Sequence, residues 1–331
     1  MAKLLSVIGA FFLAIVLAVC GTAQAQDYPN KTVRIVVPFR AGGLADLVAR
    51  IAAQQLQAEF NQPFVVLNVP GANGIQGMTT VLQAPPDGYT LLSASASQWA
   101  IPGALTPELV PFDTEKDFQA IGLYTQTSGV FIAVTEKLNV KNIQELVALA
   151  KAKPGALNYG SPGIGSIHHL LMEAFNTSLG LDIVHIPYTS SYTPDLLSGQ
   201  ISMAVTALPN VQSHLESGQI RLLAVGNKQR SQLKPDVPTI AESVIPGFDH
   251  SGVIGLLARS GTPPAIVEKL SAAIAKFVQL PEVRDRYYAI GAEPVPDVTP
   301  ANLTRIVKED RQKYAEIVKE LKAKGGISAT Q

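Results

Sequence analysis

Two glycine-rich turns stand between a predicted strand and a predicted helix, one in each half of the sequence. The first glycine turn is residues 38–43 (Pro-Phe-Arg-Ala-Gly-Gly), and the second glycine turn is residues 160–166. The start of a helix presents unpaired N–H groups and the positive end of its dipole, so it attracts anions. Glycine also lets the backbone approach a ligand closely. Two such turns that face each other predict a site for a small anion. The alternative is that each glycine only shapes a tight turn.

Polar side chains near these turns offer hydrogen bonds to such an anion. Ser93, Ser95 and Ser97 follow the strand predicted over residues 89–92, where hydroxyls suit an anion or a polar ligand. The alternative is an ordinary polar loop. His168 begins the helix after the second glycine turn, where it either donates a hydrogen bond to a ligand or serves only the structure. The adjacent His169 diverges from it by about 100° on a helix, so the two are poorly placed to share a metal ion.

Sequence motifs of several enzyme classes are missing. There is no His-Glu-x-x-His zinc motif, no Gly-x-Ser-x-Gly nucleophile elbow and no phosphate loop. Gly163 and Gly165 begin like a dinucleotide fingerprint, but His168 stands where the third glycine belongs. Ser166 lies near His168, yet no acidic residue that would orient the histidine can be assigned. We therefore predict no catalytic residue, no metal site and no cofactor.

The elements around the turns alternate between strand and helix. Val33–Val37 is a β-branched run that predicts a buried strand, and apolar residues every four positions from 48 to 60 predict an amphipathic helix after it. Asp46 lies in the first turn of that helix, where a negative charge suits the dipole. Further strands are predicted over residues 64–67, 89–92, 130–134, 183–186, 201–205 and 222–225. Helices are predicted to close the chain near residues 264–278 and 300–321. The alternation predicts an α/β fold with mostly parallel sheets.

Composition excludes several classes of protein. The 331 residues include 26 Lys+Arg and 26 Asp+Glu, so the chain lacks the basic excess of most nucleic-acid-binding proteins. Charged residues make up 16% and apolar residues 47%, which excludes a disordered chain and allows a large core. This length predicts about two domains. Cys20 is the only cysteine, which excludes a disulfide framework.

The amino-terminal segment has the pattern of a secretory signal peptide. Lys3 precedes an uncharged apolar run that extends to Cys20, and Ala-Gln-Ala at residues 23–25 then forms a small-x-small cleavage site. We predict that residues 1–25 are removed and that the mature chain begins at Gln26 in the periplasm. A membrane anchor is disfavoured because the run is short for a bilayer span. A lipidated Cys20 is disfavoured because a bulky valine precedes it.

Short motifs stand in a characteristic order along nearly the whole mature chain. They are Tyr28-Pro29-Asn30-Lys31, Val36-Val37-Pro38-Phe39, Asn68-Val69-Pro70-Gly71-Ala72, Pro85-Pro86-Asp87-Gly88-Tyr89, Lys153-Pro154-Gly155, Gly163-Ile164-Gly165-Ser166, His185-Ile186-Pro187-Tyr188, Asp236-Val237-Pro238-Thr239 and Gly261-Thr262-Pro263. Each motif alone is weakly specific, but together they are highly specific. In them the chain resembles the substrate-binding proteins of the tripartite tricarboxylate transporter system, the Bug family of the bacterial periplasm.

The resemblance implies a two-lobed periplasmic binding protein of the type II-like clamshell form. Each lobe is expected to hold a central, mostly parallel sheet flanked by helices, and the chain is expected to cross between the lobes twice, near residues 126–130 and 250–254. One lobe would then consist of residues 26–127 and 252–331. The other would consist of residues 128–251.

The resemblance also implies where the ligand lies. In this family the ligand sits between the lobes, and backbone N–H groups of two loops and ordered water hold its carboxylates. These loops correspond to residues 39–46 and 163–168. The predicted ligand-binding residues are Phe39, Arg40, Ala41, Gly43, Asp46, Ser95, Ser97, Gly163, Gly165, Ser166, His168, Tyr188, Thr189 and Thr206.

Some positions depart from the family pattern and bear on the choice of ligand. Arg40 replaces a small or neutral residue, and Thr189 with the two serines after it replaces a Lys-Gly pair. Thr206 stands where an Asp is frequent, and Val253 stands where a Trp is usual. Arg40 either pairs bidentately with a second carboxylate of the ligand or points into solvent.

The implied function is solute binding without catalysis. We predict capture of a small organic acid, a dicarboxylate or an aromatic carboxylate, for uptake by a tripartite tricarboxylate-type transporter of the inner membrane. Two alternatives stay open: an exported α/β hydrolase with a Ser-His site, and a ligand-presenting partner of a membrane sensor. We expect a monomer without a nucleic-acid partner.

Overall fold

The computed structural model describes residues 28–127, 129–188 and 190–323. The predicted signal peptide with Cys20, the predicted mature terminus Gln26 and the predicted site residue Thr189 lie outside these residues. The strands are β1 Val33–Val37, β2 Phe64–Asn68, β3 Thr90–Ala94, β4 Phe118–Thr127, β5 Val130–Thr135, β6 Asn158–Ser161, β7 Val184–Pro187, β8 Met203–Ala207, β9 Ile220–Val225, β10 Val253–Arg259 and β11 Ala292–Glu293.

Helices pack around these strands. The α-helices are α1 Leu44–Phe60, α2 Ile75–Gln83, α3 Ala96–Trp99, α4 Ile101–Leu105, α5 Thr114–Asp117, α6 Ile143–Ala152, α7 Ile167–Leu179, α8 Thr193–Ser198, α9 Gln212–Glu216, α10 Ile240–Ser243, α11 Pro264–Phe277, α12 Pro281–Ala289 and α13 Pro300–Ala323. Short 3₁₀ turns cover Ala72–Gly74, Pro107–Leu109, Glu136–Leu138 and Leu208–Asn210. In the part of the chain that is described, none of the helices has both the length and the apolar character of a membrane span.

The strands form two separate sheets, so the fold is two-lobed. We call the six-stranded sheet with its helices the first lobe; its strand order is β11-β4-β10-β3-β1-β2. The five-stranded sheet with its helices is the second lobe, with the order β7-β6-β8-β5-β9. This architecture confirms the predicted α/β, two-lobed class.

The sheets are mixed rather than mostly parallel, which corrects the prediction. In the first lobe β1 runs parallel to β2 and β3, but β10 is antiparallel to both of its neighbours, and β11 is antiparallel to β4. In the second lobe β6 runs parallel to β7 and β8, but β5 is antiparallel to β8 and β9. The reason is connectivity: β4 leaves the first sheet while β10 returns to it beside β4, so the two must run in opposite directions.

The two passages of the chain between the sheets lie side by side. β4 ends at Thr127 and β5 begins at Val130, while β10 begins at Val253. The N–H of Thr127 donates to the carbonyl of Gly252 at 2.8 Å. The N–H of Gly226, just after β9, donates to the carbonyl of Val130 at 2.9 Å. Backbone hydrogen bonds therefore hold the two passages together.

Local sequence explains why helix α1 follows β1. β1 is buried except at Arg34, as its β-branched residues favour. α1 begins after Gly43 and buries an apolar face that includes Val48 and Leu56. It ends at Asn61, whose φ of 52° is left-handed, a conformation that Asn tolerates better than most residues. The predicted strand–turn–helix unit is thus confirmed, and it fixes the ends of the first glycine turn.

Helix α7 packs against both lobes. The side chain of Leu170 belongs to the apolar core of the first lobe, whereas those of Met172 and Phe175 belong to the core of the second lobe. The helix begins at the second glycine turn, where the Ser166 hydroxyl caps it by accepting a hydrogen bond from the N–H of His169. The amino-terminal end of α7 is therefore held at the boundary between the lobes.

Candidate functional site

A cavity of about 420 Å³ lies between the lobes, where the two glycine turns face each other. The first lobe contributes Pro38, Phe39, Arg40, Pro70, Gly71, Asn73, Gly74, Ser97, Gln98 and Ile101. The second lobe contributes Pro162, Ile164, Gly165, Ser166, Ile167 and His168. The structure thus brings together six residues of the predicted set: Phe39, Arg40, Ser97, Gly165, Ser166 and His168. We call this cavity the cleft.

The first glycine turn is held in shape by the carboxylate of Asp46. Its Oδ2 accepts hydrogen bonds from the N–H of Gly42 at 2.9 Å and from Nε of Arg50 at 3.0 Å. Its Oδ1 accepts from the amide of Asn68 at 2.9 Å. The same Asn68 amide donates to the carbonyl of Phe39 at 3.1 Å. The turn is therefore tied both to its own helix and to the end of β2.

Asp46, one of the predicted ligand-binding residues, does not line the cleft. It is only 2% exposed. Burial alone would raise the pKa of this carboxyl, but hydrogen bonds from Arg50, Gly42 and Asn68, with the charge of Arg50, lower it below its usual range. Asp46 is thus an ionised group that holds the first glycine turn in shape.

Arg40 brings a positive charge to the cleft. The residue lines the cavity and is exposed. Its guanidinium makes no hydrogen bond or ion pair with any other residue in the described part of the chain. Arg40 is therefore available to an acidic ligand.

The second glycine turn uses most of its own N–H groups. The N–H of Gly163 donates to Oγ of Ser161 at 3.1 Å, and that of Ser166 donates to the carbonyl of Gly163 at 3.2 Å. The N–H of Gly165 donates to Nδ1 of His169 at 3.2 Å. These three groups shape the turn and are not free for a ligand.

Three other N–H groups remain available at the start of α7. Those of Ile164, Ile167 and His168 make no hydrogen bond to any residue within the described ranges. Ile167 and His168 form the first turn of α7, where N–H groups lack helical partners and the dipole is positive. An anion in the cleft would therefore meet these amides rather than those of Gly163 and Gly165.

Histidines beneath the turn are neutral and support it. Nδ1 of His169 accepts the Gly165 N–H, so the proton of this neutral ring is on Nε2. The ring packs against His185 with centroids 4.2 Å apart, and Nε2 of His185 is 2.7 Å from Oγ of Ser161. Burial lowers the pKa of His168 to about 4, so this cleft residue is uncharged near pH 7.

Buried histidines predict that the protein loses stability in mild acid. Burial, with His185 nearby, lowers the pKa of His169 to about 3, and burial with the charge of Lys313 lowers that of His250 to about 3. In the unfolded chain each would have a pKa near 6.5. Below about pH 6.5 the unfolded state therefore binds more protons, and stability that is complete above this pH is lost as the pH falls toward 3.

We expect the free energy of unfolding to decrease between pH 6.5 and pH 5 by about 1 kcal/mol per pH unit for each such histidine, since the unfolded histidine is half protonated at pH 6.5 and almost fully protonated at pH 5. Urea unfolding at several pH values measures this slope. His169→Gln, which is neutral at every pH, should reduce it by about that amount. His214→Gln, on helix α9 with no buried residue, is the matched control. Stability that stays constant from pH 7 to pH 5 would contradict the prediction.

The remaining predicted residues lie outside the lining of the cleft. Ser95 caps α3, and its N–H and hydroxyl both donate to Oε1 of Gln98 at 3.1 Å. Thr206 is fully buried and accepts a hydrogen bond from Tyr192 at 2.8 Å. The hydroxyl of Tyr188 donates to Asp195 at 2.6 Å; burial, then Asp195, raises the pKa of Tyr188 to about 12. Ala41, Gly43 and Gly163 shape the turns without lining the cleft.

Sequence reasoning missed one wall of the cleft, the turn over residues 71–74. Gly71 and Gly74 have φ values of 137° and 93°, and Asn73 has a φ of 52°. A Cβ on Gly74 would lie 2.5 Å from Cγ of Gln98, so only glycine lets this turn lie against α3. The signal was present as a Gly-Ala-Asn-Gly run after β2, but nothing local links it to Gln98.

The serine hydroxyls at and near the cleft are not placed as catalytic nucleophiles. Oγ of Ser166 donates to the carbonyl of Gly163 at 2.8 Å and caps α7, so it is a structural hydroxyl. Ser161 contacts His185 but is fully buried and cannot reach a substrate. Among the residues that the structure describes, no three His, Cys, Asp or Glu side chains are grouped as metal ligands.

Comparison with known proteins identifies the family of the chain. Residues 48–323 match the model of the tripartite tricarboxylate transporter family receptor, TctC. The chain belongs to this family. The predicted resemblance is confirmed: TctC proteins are periplasmic binding proteins and not enzymes, which removes the hydrolase alternative.

Relatives share the fold over nearly their whole length. The chain is 34% identical to Protein BugT of Bordetella pertussis, over 98% of this chain and 99% of BugT. Two solved structures superpose with TM-scores of 0.75 and 0.73: Rpa4515 of Rhodopseudomonas palustris with adipate, 31% identical, and MatC of the same organism with malate, 29% identical. Both comparisons cover 88% of this chain, with 98% of the adipate-bound and 100% of the malate-bound protein.

Proposed function

We propose that this TctC protein captures a small dicarboxylate in the cleft and presents it to a tripartite tricarboxylate-type transporter. One observation carries the proposal: unpaired backbone N–H groups at the start of α7 face, across the cleft, a wall that carries the unpaired cation Arg40. One end of a diacid would meet the amides of Ile164, Ile167 and His168. The other end would meet Arg40. The uncharged His168 adds a hydrogen bond without adding charge.

The size of the cleft and the ligands of the relatives support a small diacid. A volume of about 420 Å³ suits a small molecule rather than a peptide. Rpa4515 was solved with adipate and MatC with malate, and both ligands are dicarboxylates. An aromatic carboxylate, which would pack its ring on Phe39, is the second candidate. It would leave Arg40 without an acidic partner.

We also propose how the chain is divided between the two lobes. Residues 26–127 with 252–331 would move as one lobe and residues 128–251 as the other, and the protein would act as a monomer. Presentation of the ligand to a membrane sensor requires the same cleft and stays a prediction beside transport.

Thermal unfolding of the mature protein with a panel of mono-, di- and tricarboxylates tests the proposed function. An acid that binds only the folded state raises Tm with concentration and stabilises by about 2.7 kcal/mol at 100 times its Kd. We expect at least one dicarboxylate to raise Tm. If no carboxylate in the panel raises Tm at millimolar concentration, the proposal fails.

Arg40→Ala is expected to distinguish diacids from monoacids. Hydrogen bonds to charged groups contribute about 1.5–3 kcal/mol, and the exposure of Arg40 places the effect at the lower end. Affinity for a dicarboxylate should therefore fall about 10-fold, while a monocarboxylate should lose less than about 3-fold. Isothermal titration measures both, with Arg284→Ala on the exposed face of α12 as the control. Equal losses for the two ligand classes would show that Arg40 does not hold a second carboxylate.

Export is expected to leave Gln26 as the first residue. The Ala-Gln-Ala sequence at residues 23–25 motivates this cleavage site. Mass spectrometry of the protein recovered from the periplasm reads the terminus directly. A lipid-modified Cys20 at the terminus would overturn the assignment.

A further inference from the structure

A carboxylate interrupts the apolar face of helix α13. The buried residues of this helix are Leu303, Val307, Asp310, Tyr314, Val318 and Leu321. Their spacing of three and four residues is that of one helix face, so Asp310 occupies a core position. It is only 5% exposed, and burial raises the pKa of its carboxyl. A charged group at such a position requires partners for both of its oxygens.

One partner of Asp310 lies next to the cleft. Trp99 is the only tryptophan of the chain and is 2% exposed. Its indole Nε1 donates to Oδ2 of Asp310 at 3.0 Å. Trp99 ends helix α3, and the two residues before it, Ser97 and Gln98, line the cleft. The Asp310 carboxylate therefore fixes the helix that forms one wall of the cleft.

The other partner lies at the passage between the lobes. Nζ of Lys313 is 3.0 Å from Oδ1 of Asp310. The same ammonium donates to the carbonyl of Asp249 at 3.4 Å. Asp249 belongs to the segment that leads from β9 of the second lobe to β10 of the first, immediately before His250. One ammonium thus joins the first-lobe helix α13 to the return passage.

The Lys313 ammonium lies in an open crevice rather than in a closed core. Asp249, Asp310 and Lys313 line a crevice of about 780 Å³ that lies between α13 and the segment around residue 250. Lys313 keeps 28% of its side chain exposed there. If the passage shifts, Lys313 either follows the Asp249 carbonyl or stays with Asp310. A buried carboxylate that loses its cation is destabilised or takes up a proton, and either change alters the group that accepts the hydrogen bond from Trp99.

We infer that Trp99, Asp310 and Lys313 form a positioning relay that couples the passage between the lobes to the cleft wall formed by α3. Movement of the second lobe changes the Asp249–Lys313 contact, and the relay transmits the change to Ser97 and Gln98. The inference deepens the proposed function, since the relay would set the cleft wall according to the closure of the lobes. None of the three residues touches the ligand in this account.

Fluorescence of Trp99 in the ligand-free protein tests the relay without any knowledge of the ligand. The decisive variant is Lys313→Met, because Lys313 pairs with Asp310 and, in the described part of the chain, makes no hydrogen bond to Trp99 itself. We expect its emission maximum to shift and its acrylamide quenching constant to rise at least about twofold. Asp310→Asn should show a larger change in the same direction. Glu309→Gln, next to Asp310 but paired at the surface with Arg305, should match the wild type.

Tm and Trp99 fluorescence together distinguish a relay from local support of Trp99 by Asp310. Tm is recorded for each variant, and all spectra are taken well below it. If Lys313→Met has the emission and quenching of the wild type, the inference is wrong even if Asp310→Asn differs, because Asp310 would then only support Trp99 locally.

Malate and adipate serve as the binding probes in a second arm. For whichever probe the wild type binds, Lys313→Met should weaken binding about 10-fold and reduce the ligand-induced change in Trp99 emission. Unchanged affinity and unchanged emission response would overturn the relay. If the wild type binds neither probe, the choice of these diacids fails, while the ligand-free fluorescence still decides the relay.

Discussion

The Gly165→Val variant is expected to bind its acid at least about 100-fold more weakly than the wild type, a loss of about 2.7 kcal/mol. Gly165 has a φ of 77°, a left-handed conformation that a β-branched residue strongly resists. A Cβ at this position would lie 2.5 Å from Cδ1 of Leu105, which belongs to α4 in the opposite lobe. The substitution therefore distorts the second glycine turn and forces the Leu105 side chain of the opposite lobe to move.

Substitution of Gly163 separates the effect of backbone strain from that of the contact with Leu105. Gly163 also has a positive φ, 123°, but a Cβ there would meet no atom within 4 Å. Gly163→Val thus adds strain without the contact between lobes, and we expect a smaller loss of affinity. Leu105→Ala in the Gly165→Val background should restore part of the binding. Isothermal titration with the acid found by thermal unfolding compares the variants. Wild-type affinity in a folded Gly165→Val protein would refute the placement of the second glycine turn.

Asp46→Ala is expected to lower the free energy of unfolding by about 2–3 kcal/mol and to weaken binding about 10-fold. The substitution removes the ionised acceptor of three hydrogen bonds, from Gly42, Arg50 and Asn68, and hydrogen bonds to charged groups contribute about 1.5–3 kcal/mol. Binding suffers because the first glycine turn loses the group that fixes it beside the cleft. Urea unfolding and isothermal titration measure the two effects.

Glu59→Ala on the same helix is the control for Asp46→Ala. Glu59 pairs with Lys276 at 2.5 Å on the surface, and such ion pairs contribute about 0–1 kcal/mol. If Asp46→Ala changes stability no more than Glu59→Ala, the Asp46 carboxylate does not hold the turn.

Local sequence patterns predict the strands and helices whose own side chains create the pattern. β1 and β5 are runs of β-branched and apolar residues, and both are strands near the predicted positions. The helices predicted near residues 264–278 and 300–321 are α11 and α13. In these segments the side chains that create the pattern are also the ones that pack, so sequence and structure agree.

Elements that depend on distant partners were not predicted. β4 contains polar residues and Gly122, and its strand character comes from pairing with β10, which is far away in sequence. Gly122 is required because a Cβ there would lie 2.8 Å from the carbonyl of Val298. The direction of β10 is also a long-range property, so the mixed sheets could not be read from local patterns.

The same distinction applies to the cleft. The glycine turns and His168 were visible because strand–turn–helix junctions have a local signature. Sequence could not show that His169 takes the N–H of Gly165, since which way the His169 ring turns depends on packing against His185. It could not show that Leu105 approaches Gly165 either, because the two residues belong to different lobes.

The most direct test is a crystal structure of the mature protein with the acid that raises its Tm most. We predict one carboxylate within hydrogen-bond distance of the N–H groups of Ile164, Ile167 and His168 at the start of α7. For a dicarboxylate, the second carboxylate should lie at Arg40. An acid bound outside the cleft, or one whose carboxylates leave these three N–H groups without a contact, would contradict the account.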